Sequence, residues 1–489
     1  MGIFAAWREK YKFIKLLVEA QKTIWYPILF AALCIISGVN NYTVYIPIMW
    51  VLVSFVLFSA LFTDDNKVFF VPLCMIYFAL GSDAATNMFY ESSGDFLASI
   101  HPSTVGNLIA MGVVAVGSFV ARLILDGSVV AALNGKRRFT MGIIAMDVAF
   151  LLNGIFSSSY DPFNIAFGAM TAAVLTLVYI LACGITEKSE EPVKYGCISM
   201  LCAAYTALIQ ILIVVYRLNL AGLYCTVYSD GIILNRNAIT LGWGVSTVVG
   251  AVLVLGIPAA MYLAKNCKAS FLSFISCPIL LLGTLIIDSR GPMVVGAAAF
   301  IVFSVLCCIK GANRVAMRIY VASFFCLAIG ASIFVISNHP DILSDIALTF
   351  RFNLNHVSGR NDLWDDGMAD FFRQPIFGAG FSDGGYPIEL KNKNFYSNMY
   401  HCIIVQWLGA TGIVGMLSFL WHATDFVKLF FKKFTIDKLF LLGIPAVTLA
   451  MSLFDNFFFY PHFQIFYAIF LALAEYSHNI SNNTNEGAI

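Results

Sequence analysis

Charged residues are scarce in this chain. Asp, Glu, Lys and Arg make up only 12% of its 489 residues, whereas 60% of them are hydrophobic, and the mean hydropathy is +0.83. Soluble domains carry about 25% charged residues, enough to keep their surfaces hydrated. The composition therefore excludes a soluble globular protein and indicates an integral membrane protein.

Several patterns that mark soluble enzymes are also missing. The 12 cysteines include no CxxC pair and fall almost entirely inside apolar runs, where a thiol behaves as a small apolar side chain. There is no Walker lysine motif, dinucleotide fingerprint or zinc-ligand spacing. These absences argue against a disulfide framework, ATP hydrolysis, redox chemistry and metalloprotease activity. We expect no cofactor, no metal and no nucleic-acid partner.

The chain instead contains a long series of apolar runs. Roughly fourteen of them have about 17–25 residues, which suffices to cross a hydrocarbon core of about 30 Å as a helix. They lie near residues 24–39, 43–62, 68–82, 104–125, 140–156, 163–183, 197–215, 240–263, 271–286, 292–309, 318–336, 402–421, 437–453 and 456–477. The sequence thus predicts an all-α polytopic membrane protein.

The same runs divide the chain into segments. They predict an amphipathic cytoplasmic N-terminus at 1–23, transmembrane helices at 24–336, a long extracytoplasmic loop at 337–401, three further transmembrane helices at 402–477, and a cytoplasmic tail at 478–489. Short cytoplasmic loops collect Lys and Arg, and with both termini inside, most of the 29 Lys and Arg residues face the cytoplasm.

The cations predicted outside differ in kind, because most of them are arginines. They are Arg217, Arg236, Arg290, Arg351, Arg360, Arg373, Lys391 and Lys393. A guanidinium presents a planar fork that matches pairs of phosphate or carboxylate oxygens. The outer arginines are therefore candidate ligands for an anionic substrate, and the alternative is that they pair with carboxylates of the loop.

Arg290 is the most constrained of these arginines. The connection from Asp288 to Pro292 is so short that the guanidinium must lie at the membrane surface. A pyrophosphate with its lipid tail in the bilayer would present its charge at this depth, where partial desolvation strengthens an ionic contact. The alternative for Arg290 is interfacial snorkelling.

The predicted outer loop is too long for a simple connection, which indicates a functional segment. Apolar positions recur at helical spacing over residues 341–350 and 361–373, and they predict two amphipathic helices that act as a lid. Gly378 and Gly380 then predict a tight path near a ligand, and the alternative is a flexible surface turn. His401 ends the loop at the mouth of a span, where an imidazole could act as a general base or only as an interfacial anchor.

The segment SGRNDLWDDGMADFFRQPIFGAG, residues 358–380, resembles the outer-loop signature of the bacterial O-antigen polymerase and O-antigen ligase superfamily, which reads R, W and then PxxGxG. The residues that match are Arg360, Trp364, Pro375, Gly378 and Gly380. The later segment HCIIVQWLGATGIVG resembles the histidine helix of the same family, with His401 in the expected place. Cys402 replaces the usual asparagine after this histidine.

Two further segments resemble the family more loosely. IIDSRGPMVVG surrounds Arg290, and LNRNAIT runs from Leu234 to Thr240. The resemblance implies a membrane-embedded, metal-independent, inverting glycosyltransferase that takes a glycan from an undecaprenyl pyrophosphate donor on the outer face of the bacterial inner membrane. Arg290, with Arg217 or Arg236, would hold the donor pyrophosphate.

In the same scheme His401 would activate the acceptor hydroxyl, and Arg360 would position the donor or the glycan. Trp364, Pro375, Gly378 and Gly380 would support the loop. The expected partners are the lipid-linked glycan, membrane lipids, and a chain-length regulator and a flippase of the same pathway.

The sequence favours polymerisation of lipid-linked repeat units into surface polysaccharide, because the chain length and span number fit the polymerases of the family better. The first alternative is a ligase that transfers the glycan to lipid A core or another acceptor. The second is a polysaccharide or lipid transporter, for which a carboxylate near mid-membrane would be expected, and Asp147 is the candidate.

Overall fold

The structure is a computed structural model that describes residues 2–81, 102–125, 128–133, 137–156, 162–222, 225–228, 231–234, 239–309, 312–338, 360–381, 400–432 and 435–486. The first half of its helices comprises α1 (Gly2–Lys10), α2 (Lys12–Gln21), α3 (Trp25–Gly38), α4 (Tyr42–Phe62), α5 (Phe70–Met75), α6 (Pro102–Leu125), α7 (Ser128–Leu133), α8 (Phe139–Phe156), α9 (Pro162–Glu187) and α10 (Pro192–Leu220).

The second half comprises α11 (Ser246–Asn266), α12 (Ser270–Ile286), α13 (Arg290–Ile309), α14 (Arg314–Asn338), α15 (Arg360–Arg373), α16 (Ile403–Phe431), α17 (Ile436–Ser452) and α18 (Pro461–Glu486). Short 3₁₀ turns cover Asn66–Phe69, Ile76–Ala79 and Phe457–Phe459. Two small antiparallel hairpins lie between α10 and α11. They pair Cys225–Tyr228 with Gly231–Leu234 and Thr240–Leu241 with Gly244–Val245.

Eight of the described helices are long and apolar enough to cross a membrane, or nine if α2 and α3, bent by 81°, form one span. The eight are Thr43–Phe62, Gly106–Leu125, Ile165–Glu187, Pro192–Leu220, Ser246–Asn266, Arg290–Ile309, Arg314–Asn338 and Ile403–Phe431. The prediction of an all-α polytopic membrane protein is confirmed.

The predicted number of spans, roughly fourteen on length grounds, is not confirmed. Three further apolar helices, Asn66–Ala79, Phe139–Asn153 and Ser270–Ile286, are shorter than a full span. In the first of them, α5 is flanked by two 3₁₀ turns and is fully buried. An apolar run can therefore be core rather than span, because a segment enclosed by other helices is buried without meeting lipid.

The helix α11 is the centre of the bundle, with 89% of its apolar window buried. It packs against α10, α12, α13 and α17. Small residues allow the close approach, since a Cβ added at Gly256 would lie 2.7 Å from the Cβ of Ala204 on α10. A second group of helices, α8, α9, α16 and α18, packs beside this one.

One end of the bundle gathers the last turns of α12 and α17 and the first turns of α11, α13 and α16. We call it the His401 end, after the residue that lies just before α16. A Cβ added at Gly250 of α11 would lie 3.2 Å from the Cβ of Ser289 before α13, and one added at Gly291 of α13 would lie 3.6 Å from the Cβ of Phe454 after α17. These contacts place loops that are distant in the sequence next to one another at the His401 end.

The opposite end is fastened by polar contacts. Glu475 of α18 accepts hydrogen bonds from the backbone N–H groups of Arg138 (2.6 Å) and Phe139 (3.1 Å) and from the hydroxyl of Tyr179 (2.8 Å). Lys265 at the end of α11 pairs with Asp437 at the start of α17. The distribution of lysine predicts that this end faces the cytoplasm.

The helix α16 is broken at Gly412, whose backbone is not helical (φ 65°, ψ −161°). The segment after α15 fills the break. The backbone N–H of Ile413 donates to the carbonyl of Pro375 (2.8 Å), and that of Val414 donates to Ile376 (3.1 Å). In return the N–H of Ala379 donates to the carbonyl of Gly409 (2.8 Å). The loop thus replaces the hydrogen bonds that the helix loses at the break.

Replacing Gly412 with alanine is expected to destabilise the protein by about 1–3 kcal/mol from backbone strain alone, because few residues with a Cβ adopt positive φ. The added Cβ would also lie 2.5 Å from the carbonyl oxygen of Ile376, which cannot move without breaking the exchanged hydrogen bonds. The measurement is the thermal unfolding midpoint of the purified protein in detergent.

Gly330→Ala is the matched control, since Gly330 lies within α14 and an added Cβ meets nothing within 4 Å. This control is expected to raise helix stability by about 0.5–1 kcal/mol. Equal unfolding midpoints for Gly412→Ala and the parent protein would show that the break at Gly412 carries no such constraint.

Candidate active site

His401 and Asp455 form a pair at the His401 end. The Nδ1 atom of His401 lies 2.8 Å from Oδ1 of Asp455. The carboxylate is nearly buried, with 10% of its side chain exposed, whereas 36% of the imidazole is exposed. One edge of the ring is therefore held by the protein while part of the ring remains open to a ligand.

The acceptor in this pair decides which ring nitrogen carries the proton. A carboxylate only accepts hydrogen bonds, so Nδ1 of His401 is the donor to Asp455. In the neutral imidazole the other nitrogen, Nε2, then keeps its lone pair. This arrangement suits Nε2 to remove a proton from a bound hydroxyl, as a general base must.

A short polar network holds Asp455 and His401 in place. Oδ1 of Asp455 also accepts from the backbone N–H of Asn456 (2.7 Å). The side-chain amide of Asn456 donates to Oε1 of Gln406 (2.6 Å), and the same oxygen accepts from the backbone N–H of Tyr400 (2.9 Å). Gln406 is 1% exposed, so this bridge joins α16, the turn after α17 and the backbone just before His401 inside the protein.

The backbone at His401 is unusual as well. Its φ is 52°, a left-handed conformation that a residue with a Cβ rarely adopts. Such strain persists only where the surroundings over-determine it, and it is concentrated at functional sites. The Tyr400–Gln406 bond on one side and the Asp455 contact on the other supply that constraint here.

The loop helix α15 is tied to the same network. The hydroxyl of Tyr400 donates to Oδ2 of Asp370 (2.8 Å), and Oδ1 of Asp370 pairs with Arg373 (3.2 Å). The helices cross closely, since a Cβ added at Gly367 would lie 2.4 Å from Cγ1 of Val405. The predicted helix over 361–373 is confirmed as Arg360–Arg373. The predicted helix over 341–350 lies outside the described residues.

Arg290 is the first residue of α13 and is exposed. It follows Asp288, which has a φ of 51°, and Ser289, which is 2% exposed. The first backbone N–H groups of a helix have no partner within the helix, and with the helix dipole they favour an anion. The guanidinium of Arg290 and the unpaired N–H groups at the start of α13 therefore both favour an anion bound at this position.

The Arg290 turn and the His401–Asp455 pair are neighbours. Gly291 packs against Phe454, the residue that precedes Asp455. The tertiary structure thus joins a fixed cation and a candidate base from segments that are more than a hundred residues apart in the sequence. Together they could bind an anionic leaving group and activate a nearby hydroxyl.

The other predicted arginines are placed differently. Arg217 lies in the last turn of α10, where its Nη1 donates to the backbone carbonyl of Val39. Arg360 begins α15 and is half-buried. No hydrogen bond or ion pair within the described ranges joins either of them to Arg290 or His401. Arg236 lies outside the described residues.

Three of the predicted loop residues, Pro375, Gly378 and Gly380, lie at the break in α16. Gly378 and Gly380 have φ of 77° and 95°, and a Cβ added at Gly378 would lie 2.3 Å from the carbonyl carbon of Ala410. Pro375 is exposed but offers its carbonyl to Ile413. Trp364 is half-buried on α15. The glycines permit close backbone packing at the break rather than shaping an open turn.

Sequence reasoning missed Asp455, although a signal was present. It is the only carboxylate between Asp437 and Glu475, and it falls in the brief connection between two predicted apolar runs. In so short a connection, a carboxylate can lie only at the membrane surface or in a polar binding site. Its partnership with His401, 54 residues away in sequence, could not be inferred from spacing.

Two other expectations concern metals and transport. In the described part of the chain, no group of three or more His, Cys, Asp or Glu side chains is arranged to hold a metal ion. Asp147 accepts a hydrogen bond from the hydroxyl of Thr176 on the neighbouring helix α9. This contact joins α8 to α9 through Oδ2 of Asp147, whereas Oδ1 is buried without a hydrogen-bond partner among the described residues.

Comparison with known proteins identifies one related domain. Residues 275–420 match the family model described as O-antigen ligase. No curated protein matches the chain. The matched segment runs from α12 to α16 and includes Arg290, Arg360 and His401, whereas Asp455 lies beyond it. This match confirms the resemblance of this segment of the multi-pass membrane protein to the O-antigen ligase and polymerase superfamily.

Proposed function

We propose that this protein polymerises undecaprenyl-pyrophosphate-linked oligosaccharide repeat units into a surface polysaccharide. The observation that carries the proposal is the His401–Asp455 pair, 2.8 Å apart, beside the helix start that presents Arg290. Glycan transfer from such a donor needs two groups. One is a general base for the acceptor hydroxyl, and the other is a cation for the pyrophosphate.

The proposed reaction is a single displacement. The acceptor hydroxyl gives its proton to Nε2 of His401, and its oxygen attacks the anomeric carbon of the donor sugar. The bond from that carbon to the pyrophosphate oxygen breaks, and undecaprenyl pyrophosphate leaves with the electron pair. Attack from the face opposite the leaving group inverts the anomeric centre.

Arg290 would act on the leaving group. Negative charge grows on the pyrophosphate oxygen as the bond breaks, and a guanidinium fork together with helix N–H groups stabilises that charge more in the transition state than in the bound donor. In the proposed step, Arg290 and the helix N–H groups therefore neutralise the charge on the leaving pyrophosphate. Arg217 or Arg236 would hold the second phosphate, and Arg360 would position the glycan.

The location follows from the chemistry of the donor and the distribution of lysine. We place the His401 end on the outer face of the bacterial inner membrane and both termini in the cytoplasm. Membrane lipids surround the bundle, and a flippase that delivers the donor and a chain-length regulator are the partners that this reaction would require.

A ligase is the second candidate function, because the matched family model carries that description. The same base and cation would serve it, since the two reactions differ only in the acceptor. A polymerase uses a second lipid-linked repeat unit as acceptor, whereas a ligase uses lipid A core or another glycan carrier.

The test is to incubate the purified protein with a lipid-linked repeat unit alone and to follow product length on a gel. A polymerase is expected to give a ladder of products that lengthens with time. A His401→Gln preparation serves as the blank. A single product that appears only when a lipid A core acceptor is added, with no ladder from the donor alone, would overturn polymerisation in favour of ligation.

A further inference from the structure

A groove opens near the N-terminus, remote in sequence from the candidate active site. Its volume is about 870 Å³, within the range of ligand pockets. The helices α2, α3 and α4 form it, and the lining includes Leu17, Leu29, Ala32, Trp50 and Phe55. The wall is almost entirely apolar, so an apolar occupant is required.

The geometry of the three helices fits a lipid chain. The helix α2 is bent by 81° from α3, so it lies across one end of the groove while α3 and α4 form its walls. The lining runs from Trp25 to Ala32 along α3, which corresponds to about 10 Å at 1.5 Å per residue. Trp25 is 71% exposed and lies where α2 meets α3, as is typical of an aromatic residue at the membrane interface.

Polar groups are few in this apolar groove, and two of them, the side chains of Gln21 and Tyr26, have buried oxygen atoms without a hydrogen-bond partner among the described residues. Gln21 lines the groove and is 5% exposed. Its Nε2 donates to the hydroxyl of Ser59 (3.0 Å), whereas its Oε1 is buried without a hydrogen-bond partner in the described part of the chain. A buried acceptor without a partner is costly, and a hydroxyl group of a ligand would satisfy it.

The N-terminal segment that contains α1 and α2 is positively charged. The cations of α1, α2 and the residue that follows α2 are Arg8, Lys10, Lys12, Lys15 and Lys22, and the carboxylates beside them are Glu9, Glu19 and Asp64, the last of which pairs with Arg8 and Lys22. Lys12 and Lys15 are exposed; Lys12 makes no ion pair with any described residue, and Lys15 makes an exposed pair with Glu9 at 3.7 Å. Basic residues on an interfacial helix attract anionic lipid headgroups.

We propose that this groove binds one acyl chain of an anionic phospholipid whose headgroup carries a hydroxyl, as phosphatidylglycerol does. The chain lies between α3 and α4, the headgroup hydroxyl donates to Gln21, and the phosphate lies near the lysines of α2. The bound lipid fastens α2 to the bundle. This site shares no residue with the His401–Asp455 pair or the Arg290 turn, and it does not depend on the proposed function.

The first test fills the groove. Ala32→Phe places a ring where the acyl chain would lie, and Ala322→Phe on the exposed face of α14 is the matched control. The full-length protein is mixed with equal amounts of dioleoyl phosphatidylglycerol and dioleoyl phosphatidylcholine, and retained lipid is counted by native mass spectrometry. We expect Ala32→Phe to retain about tenfold less phosphatidylglycerol, since each excluded methylene group contributes about a fourfold preference.

The second test removes charge without touching the packing. Lys12→Gln combined with Lys15→Gln is expected to reduce the preference for phosphatidylglycerol over phosphatidylcholine by about fivefold for each lysine. Because both side chains are exposed, this variant remains informative if Ala32→Phe does not fold.

Three results would overturn the proposal. They are equal retention by Ala32→Phe and Ala322→Phe, no preference for phosphatidylglycerol in the parent protein, and displacement of phosphatidylglycerol by undecaprenyl phosphate in preference to other anionic lipids. The last result would assign the groove to the polyprenyl tail of a donor.

Discussion

Replacing His401 with glutamine is expected to lower the rate of glycan transfer by about 10²–10⁴-fold, the contribution of a positioned general base. Glutamine can still accept a hydrogen bond, but it cannot take up the proton of the acceptor hydroxyl. The measurement is single-turnover transfer by the purified protein with saturating lipid-linked donor. Protein yield and the unfolding midpoint should stay close to those of the parent, because the imidazole is partly exposed.

Asp455→Asn is expected to lower the same rate by about 10²–10⁴-fold through its effect on the histidine tautomer, because the wrong tautomer removes the general base. An amide can donate to Nδ1, which would move the proton to Nε2 and remove the lone pair that the reaction uses. The loss should appear in kcat with little change in KM, since Asp455 is not placed to touch the donor.

Asp362→Asn is the matched control, because Asp362 is an exposed carboxylate on α15. This variant should transfer glycan at the parental rate. If Asp455→Asn kept full activity while His401→Gln lost it, the contact between Asp455 and His401 would not contribute to catalysis. His401 itself would remain the base.

Arg290→Ala is expected to reduce transfer by about 10²–10³-fold, comparable to the loss of one preorganised donor that stabilises a developing negative charge. The side chain is exposed and the start of α13 packs through Gly291 and Pro292 rather than through the guanidinium, so the unfolding midpoint should stay at the parental value. The activity is measured with the same donor and acceptor as above.

Arg290→Lys separates charge from geometry. Lysine keeps the positive charge but loses the planar fork that binds two oxygens at once. We expect about a tenfold loss, the value of one charge-assisted hydrogen bond. Full activity in Arg290→Lys would show that a point charge suffices at this position.

Arg314→Ala is the control for both Arg290 variants. Arg314 is also an exposed arginine at the first position of a helix, but α14 begins at the opposite end of the bundle. A similar loss in Arg314→Ala would indicate a general effect of charge on the membrane protein and would contradict a donor site at Arg290.

Part of the site could be predicted from local sequence. The short connection before Pro292 predicted that Arg290 lies where a helix begins. The apolar spacing after Arg360 predicted α15. Phe372, an apolar residue of that helix, is 73% exposed. Periodicity predicts a helix well because it is a local property, but the face that is buried also depends on what packs against it.

Other parts could not be predicted for a physical reason. The broken helix α16 reads as one continuous apolar run, and nothing near Gly412 indicates that the backbone of Pro375 and Ile376 will replace its hydrogen bonds. The span count is not confirmed for a similar reason, since hydropathy does not distinguish a segment that meets lipid from one that other helices enclose.

The sequence by itself determined that the chain belongs in a membrane, that it is helical, and that arginine and histidine are available for an anionic substrate. These are properties of residue types and local spacing. Only the tertiary structure decided that Asp455 orients His401, that both lie beside the Arg290 turn, and that Gly378 and Gly412 meet at a broken helix. Those relations join residues distant in the chain, and packing of the whole bundle is what brings them into contact.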